Sequence, residues 1–95
     1  MRAAKVDANQ TEIVKALRDV GASVQSLASV GKGVPDLLVG WRGQNYLIEV
    51  KDGAKQACKQ RLTPDQVEWH GQWLGQKAVV NSVSAALQVL GVSHG

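Results

Sequence analysis

Apolar residues recur along this chain with two periods, and the changes between them mark a succession of helices and strands. From Asn9, Ile13, Val14, Leu17 and Val20 return at helical spacing, and Gly21 supplies the stop. Asn9-x-x-Glu12 is a capping-box pattern, with Glu12 reaching back to the Asn9 amide. Ala22 to Ala28 alternates in part through Val24 and Leu27 and predicts a first strand. Residues 29–34 read as a loop bearing Gly31, Lys32 and Gly33, where glycine permits positive φ or close backbone approach. Residues 1–8 and 92–95 lack periodicity and are expected to be a loosely held arm and tail.

Two short apolar strands follow, Pro35 to Gly40 and Asn45 to Lys51, carrying only three charges, Asp36, Glu49 and Lys51. Pro35, lacking an amide hydrogen, suits the first residue of a strand. The link is Arg42-Gly43 or Arg42 to Gln44. With Arg42-Gly43 as a tight turn, Asp36 falls opposite Glu49. A register change of two residues keeps both on one face, whereas a change of one does not. Directly opposed residues have Cβ atoms about 4.5–5.5 Å apart, and two like charges that close destabilise a sheet unless something positive sits between them. Lys51 lies two residues past Glu49 and shares its face, while Leu37, Val39, Tyr46, Ile48 and Val50 form the other. Two carboxylates with a neighbouring ammonium suggest a site for a divalent metal, with Mg²⁺ favoured by the hard oxygen donors. An ion pair on a solvated sheet face is the plainer alternative.

Thr63-Pro64-Asp65-Gln66 opens a second helix with agreeing signals: Thr as N-cap, Pro and an acid in the first turn, Gln at N3. Trp69, Trp73, Leu74 and Val67 share a broad face with Gln66 and His70. The spacing predicts burial of the tryptophans against the sheet and a hydrogen-bonded core histidine. Ala78, Val79 and Val80 make a last, well-covered strand within 77–81. Asn81-Ser82 then caps a final helix with an inner stripe of Val83, Ala86, Leu87 and Leu90, stopped by Gly91. The order helix, strand, strand, strand, helix, strand, helix predicts an α/β fold with a mixed four-stranded sheet flanked by helices.

Ninety-five residues make one domain with a small core. Dimerisation would therefore be unsurprising. The single Cys58 excludes an internal disulfide and a cysteine-based zinc site. No apolar run is long enough to cross a membrane and Met1-Arg2-Ala3-Ala4 carries no secretory pattern, so a reducing, cytoplasmic setting is expected. The net charge of +3 is mild, but Lys51, Lys55, Lys59 and Arg61 crowd a stretch whose only acid is Asp52. Next to a metal-site candidate, that stretch suits phosphate contacts, and Lys32 and Gly33 join it as candidate nucleic-acid contacts.

Gly33-Val34-Pro35-Asp36, Glu49-Val50-Lys51 and the downstream Gln66 resemble the VRR-NUC (virus-type replication-repair nuclease) family of the PD-(D/E)XK nuclease superfamily, over about residues 11–91. The resemblance implies a restriction-endonuclease-like αβββαβ core and a nuclease using Mg²⁺, with Mn²⁺ substituting. It implies metal ligation by Asp36, Glu49 and the Val50 backbone carbonyl, with Glu12 on the first helix as a supplementary acid; capping remains the alternative for Glu12. It further implies catalytic roles for Lys51 beside the scissile phosphate and for the Gln66 amide, whose alternative is the capping box.

Stand-alone domains of the family suggest a dimeric enzyme resolving Holliday junctions, of phage or bacterial origin, with branched DNA as partner and no small-molecule cofactor. A flap or restriction-like nuclease is the alternative within that class. Outside it stands a non-catalytic nucleic-acid-binding module on a nuclease fold, against which the complete Asp36, Glu49 and Lys51 set argues.

Overall fold

A computed structural model describes residues 8–53 and 61–92. Helix α1 (Ala8–Asp19) is followed by β1 (Ser23–Ser26), β2 (Leu37–Trp41), β3 (Gln44–Val50), α2 (Pro64–Gln72), β4 (Lys77–Val80) and α3 (Val83–Val89). The strands lie in the order β1-β2-β3-β4, with the first two pairings antiparallel and β3–β4 parallel. This is the mixed four-stranded sheet with flanking helices that the periodicity predicts.

The β2–β3 hairpin turns on Arg42 (φ 49°) and Gly43 (φ 80°). Positive φ at both central residues matches the right-handed twist of the flanking strands. The resulting register pairs Leu37 with Ile48 and Val39 with Tyr46, so one step further Asp36 faces Glu49. The Arg42 guanidinium lies 5.0 Å from the centre of the Trp41 ring, shielding an aromatic at the exposed end of the hairpin.

Alternation gives the sheet two unlike faces. One presents Leu37, Val39, Ile48, Val50 and Val80, which join Ile13 and Leu17 of α1 and Ala86, Leu87 and Leu90 around α3 to form the core. Ile13, Leu17, Val39 and Ile48 are fully shielded from solvent. The other face carries Asp36, Glu49 and, one strand over, Lys77 and Val79.

Helix α2 sits over this second face and departs from its expected role, for it has no buried residue. Trp73 is 43% exposed and Leu74 98% exposed. Trp69 and Trp73 stack on each other, with centroids 5.1 Å apart and planes at 15°. The contacts of α2 to that face are polar, with Gln66 bonding Lys51 and Glu49. Polar ties at its two ends hold the helix instead. At the C-terminal end the Lys77 ammonium donates to the carbonyls of His70 and Trp73, where the helix dipole favours a cation.

Two further expectations change. Strand β4 is an edge, and Val79 is 45% exposed, so only one of its faces is covered. Asn9 lies within α1 rather than capping it, and its side-chain amide reaches Lys51 and Asn81. The other edge strand, β1, has its Val24 carbonyl occupied by the Arg18 guanidinium at 3.1 Å. No helix among the described residues is long and apolar enough to cross a membrane.

Candidate active site

The site forms where β2 begins and β3 ends. Leu27 N–H donates to the Asp36 carbonyl at 2.7 Å, extending the β1–β2 ladder by one step and fixing the Asp36 backbone. Pro35 before it is fully buried. The Asp36 side chain crosses to β3, where its Oδ2 accepts the Val50 N–H at 2.8 Å.

Glu49 is buried, 3% exposed. Burial, then the hydrogen-bonded and negatively charged Asp36, push its carboxyl up to about 8, while Lys51 pulls the other way. The Lys51 ammonium lies 3.9 Å from Glu49 Oε2. This upward shift favours the protonated form of the Glu49 carboxyl.

Gln66 ties these groups to α2. Its Oε1 accepts from the Lys51 ammonium at 2.8 Å and from the Thr63 amide at 2.9 Å. Its Nε2 donates to Glu49 Oε2 at 3.1 Å. The Thr63 hydroxyl accepts the Gln66 amide in return, completing a capping box. One side chain thus closes the capping box and bonds both Lys51 and Glu49, because a carboxamide has two donor hydrogens and an oxygen with two lone pairs.

Gly33 explains the spacing of the loop before Asp36. It has φ 82°, and a Cβ there would stand 2.2 Å from the Asp65 carbonyl oxygen. Only a residue without a side chain lets this loop close against the start of α2, which in turn aims Gln66. The close approach is thus to the protein's own helix. Lys32 (φ 56°) is exposed and lines a surface hollow with Asp65, Glu68 and Trp69.

Other candidates fall elsewhere. Glu12 is exposed on α1, whose buried polar residue is Gln10. Among the described residues no third His, Cys, Asp or Glu joins Asp36 and Glu49 into a metal-holding group. Arg61 is exposed, while Lys55 and Lys59 lie outside the described residues. His70 makes an edge contact with Trp69, with centroids 5.1 Å apart, but its Nε2 is buried and unpartnered among the described residues. Burial first, then Lys77 and Lys51, lower its pKa, favouring the neutral ring. Sequence reasoning missed Asn9, since a short polar residue at a helix start signals a cap and says nothing of distant partners.

The donor set fits a hard divalent cation. Asp36 and Glu49 offer carboxylate oxygens on adjacent strands, and Glu49 Oε1 is a buried acceptor with no partner among the described residues.

No family model matches the chain, and no curated protein does. A solved structure described as a VRR_NUC domain superposes with a TM-score of 0.64 at 23% identity, covering 93% of this chain and all of the other. The chain has the fold of that VRR_NUC domain.

Proposed function

We propose that this protein is a metal-dependent, structure-specific DNA endonuclease that hydrolyses phosphodiester bonds in four-way (Holliday) junctions as a homodimer, in the cytoplasm of a bacterial or phage-infected cell. The observation that carries the reading is the hydrogen-bonded run Lys51–Gln66–Glu49 beside Asp36, on the sheet face away from the core.

Asp36, Glu49 and the Val50 carbonyl would hold Mg²⁺ or Mn²⁺. When bound, such an ion lowers the pKa of a water and offsets charge on the phosphate. The chain's own groups do the rest. Lys51 stands with its ammonium facing the same space as the carboxylates, where it binds a phosphate oxygen and stabilises the negative charge that grows during cleavage. Gln66 holds that ammonium by its oxygen and Glu49 by its nitrogen, setting the distance between cation and carboxylate. Released from Glu49, its Nε2 hydrogens would orient a water or a phosphate oxygen. Glu12 is a candidate for ordering solvent at the edge of the site. Lys32, Gly33, Lys55, Lys59 and Arg61 are the candidates for holding the DNA backbone.

A second copy would place a second site on the opposing strand of a junction. The exposed Val67, Trp73, Leu74 and Val79 supply apolar surface for such an interface.

The test is incubation of purified protein with four-way junction, flap and linear duplex DNA, with Mg²⁺, with Mn²⁺ and with chelator, alongside its mass in solution. Junction cleavage that needs the metal supports the proposal. Preferential flap cutting moves it to a flap nuclease. Binding without cutting in any metal leaves a nucleic-acid-binding module.

A further inference from the structure

Resting on the nuclease reading, we infer that Asn9, at the start of α1, is a positioning residue for Lys51. Lys51 follows the last residue of β3, so the ladder that orients Glu49 and Val50 gives out there. Its backbone is nevertheless held at both polar groups. Its N–H donates to the Val80 carbonyl at 2.8 Å. Its carbonyl accepts the Asn9 Nδ2 hydrogen at 2.7 Å.

The second bond spans 42 positions of sequence and ties α1 to the end of β3. Helix α1 packs on the core face of the sheet, whereas the Lys51 ammonium projects to the α2 side. The same Asn9 nitrogen lies 3.4 Å from the Asn81 carbonyl, bridging the points where β3 and β4 leave the sheet. Gly53 closes the arrangement: a Cβ there would come within 2.7 Å of the Asn81 carbonyl oxygen, so the chain after Lys51 is pressed against the end of β4.

The bridge matters because a lysine ammonium sits at the end of a long stem and amplifies any rotation of its backbone. Gln66 fixes the tip of that stem and Asn9 fixes its root. With the root free, the 2.8 Å contact to Gln66 and the approach to Glu49 are no longer enforced together. Asn9 touches neither acid nor ammonium, so its action on chemistry runs through the Lys51 peptide. A misplacement of about 1 Å can slow an enzyme on the order of a hundredfold.

Asn9→Asp tests this with the least risk to the fold. It keeps the shape, suits a helix N-terminus, and puts an acceptor where a donor is needed. Asn9→Ala is the second variant. Cleavage of junction DNA under single-turnover conditions would be read alongside DNA affinity, far-UV circular dichroism, and the NMR shift of the Lys51 carbonyl carbon in metal-free protein.

The expected result is a cleavage rate down about ten- to a hundredfold, DNA affinity within about twofold, native circular dichroism, and a displaced Lys51 carbonyl resonance. Wild-type rate with an unmoved resonance overturns the inference. So does loss of cleavage, affinity and fold together in both variants, which would make Asn9 merely structural. If wild-type protein cuts no DNA at all, the nuclease reading fails, and the Lys51 resonance still decides whether Asn9 holds it.

Discussion

The Gln66 side-chain oxygen lies 2.8 Å from the Lys51 ammonium nitrogen, and that same oxygen caps its own helix through the Thr63 amide. Local helix stability and site geometry thus share one atom. Substitution separates them. Gln66→Glu keeps a capping box, which Glu at N3 also forms, but sets a third carboxylate against Glu49. Gln66→Ala removes both functions. Thermal melts are expected to show Gln66→Ala less stable by about 1 kcal/mol, a typical capping contribution. Cleavage is expected to fall in both variants, by about tenfold or more as for a lost transition-state contact.

Lys51→Ala removes the one ammonium that, among the described residues, faces both Gln66 and Glu49. A single-turnover cleavage assay is expected to show a loss on the order of a hundred- to a thousandfold. Affinity for the same DNA, measured in chelator, should change little. Undiminished cutting by this variant would remove Lys51 from the chemistry.

The elevated Glu49 carboxyl makes stability depend on pH in a definite direction. Between its ordinary 4.5 and about 8, the folded protein keeps a proton that the unfolded chain gives up. Metal-free stability therefore falls as pH rises through that window, and the ionised acid is a liability above it. Glu49→Gln is expected to flatten this slope and to raise the melting temperature at pH 9. Every 1 kcal/mol corresponds to about 4–8 °C in a domain of this size. Mg²⁺ must displace the same proton, so affinity measured by calorimetry should strengthen as pH rises toward 8.

Gly33→Ala asks a left-handed backbone at φ 82° to accept a Cβ that would stand 2.2 Å from the Asp65 carbonyl oxygen. The conformation alone is unfavourable by about 1–2 kcal/mol, and relieving the clash would push α2 away from Asp36. Reduced melting temperature and lost cleavage are expected together. Gly31→Ala, at φ 75° with open space around it, should show only the conformational part.

Leu74 is 98% exposed and contributes nothing to the packing of one chain. Leu74→Asp is therefore expected to leave an isolated protomer's stability within about 0.5 kcal/mol. If the apolar corner around Trp73 joins two copies, the same substitution halves the mass seen by light scattering. An unchanged dimeric mass would send the interface elsewhere.

The hairpin was legible because its turn chemistry and its alternation agree: of the two turns open to the link, Arg42-Gly43 is the one adopted, and its register sets Asp36 against Glu49. Helices α1 and α3 were legible for the same reason, since Ile13, Leu17, Ala86, Leu87 and Leu90 are buried where their spacing puts them. Helix α2 misled. Its tryptophans repeat at a core period, but periodicity records which residues share a face and not what that face meets. Here it meets Glu49 and Lys51. Asn9 was opaque for a related reason: its partners are backbone carbonyls, which carry no signature of residue type.

Because α2 hangs on hydrogen bonds at its two ends and has no buried residue, the helix that carries Gln66 and the globule it leans on are different thermodynamic units. Gentle warming or dilute denaturant should silence the protein while its sheet is still intact, and hydrogen exchange should find the amides of residues 67–72 opening long before those of β2 and β3.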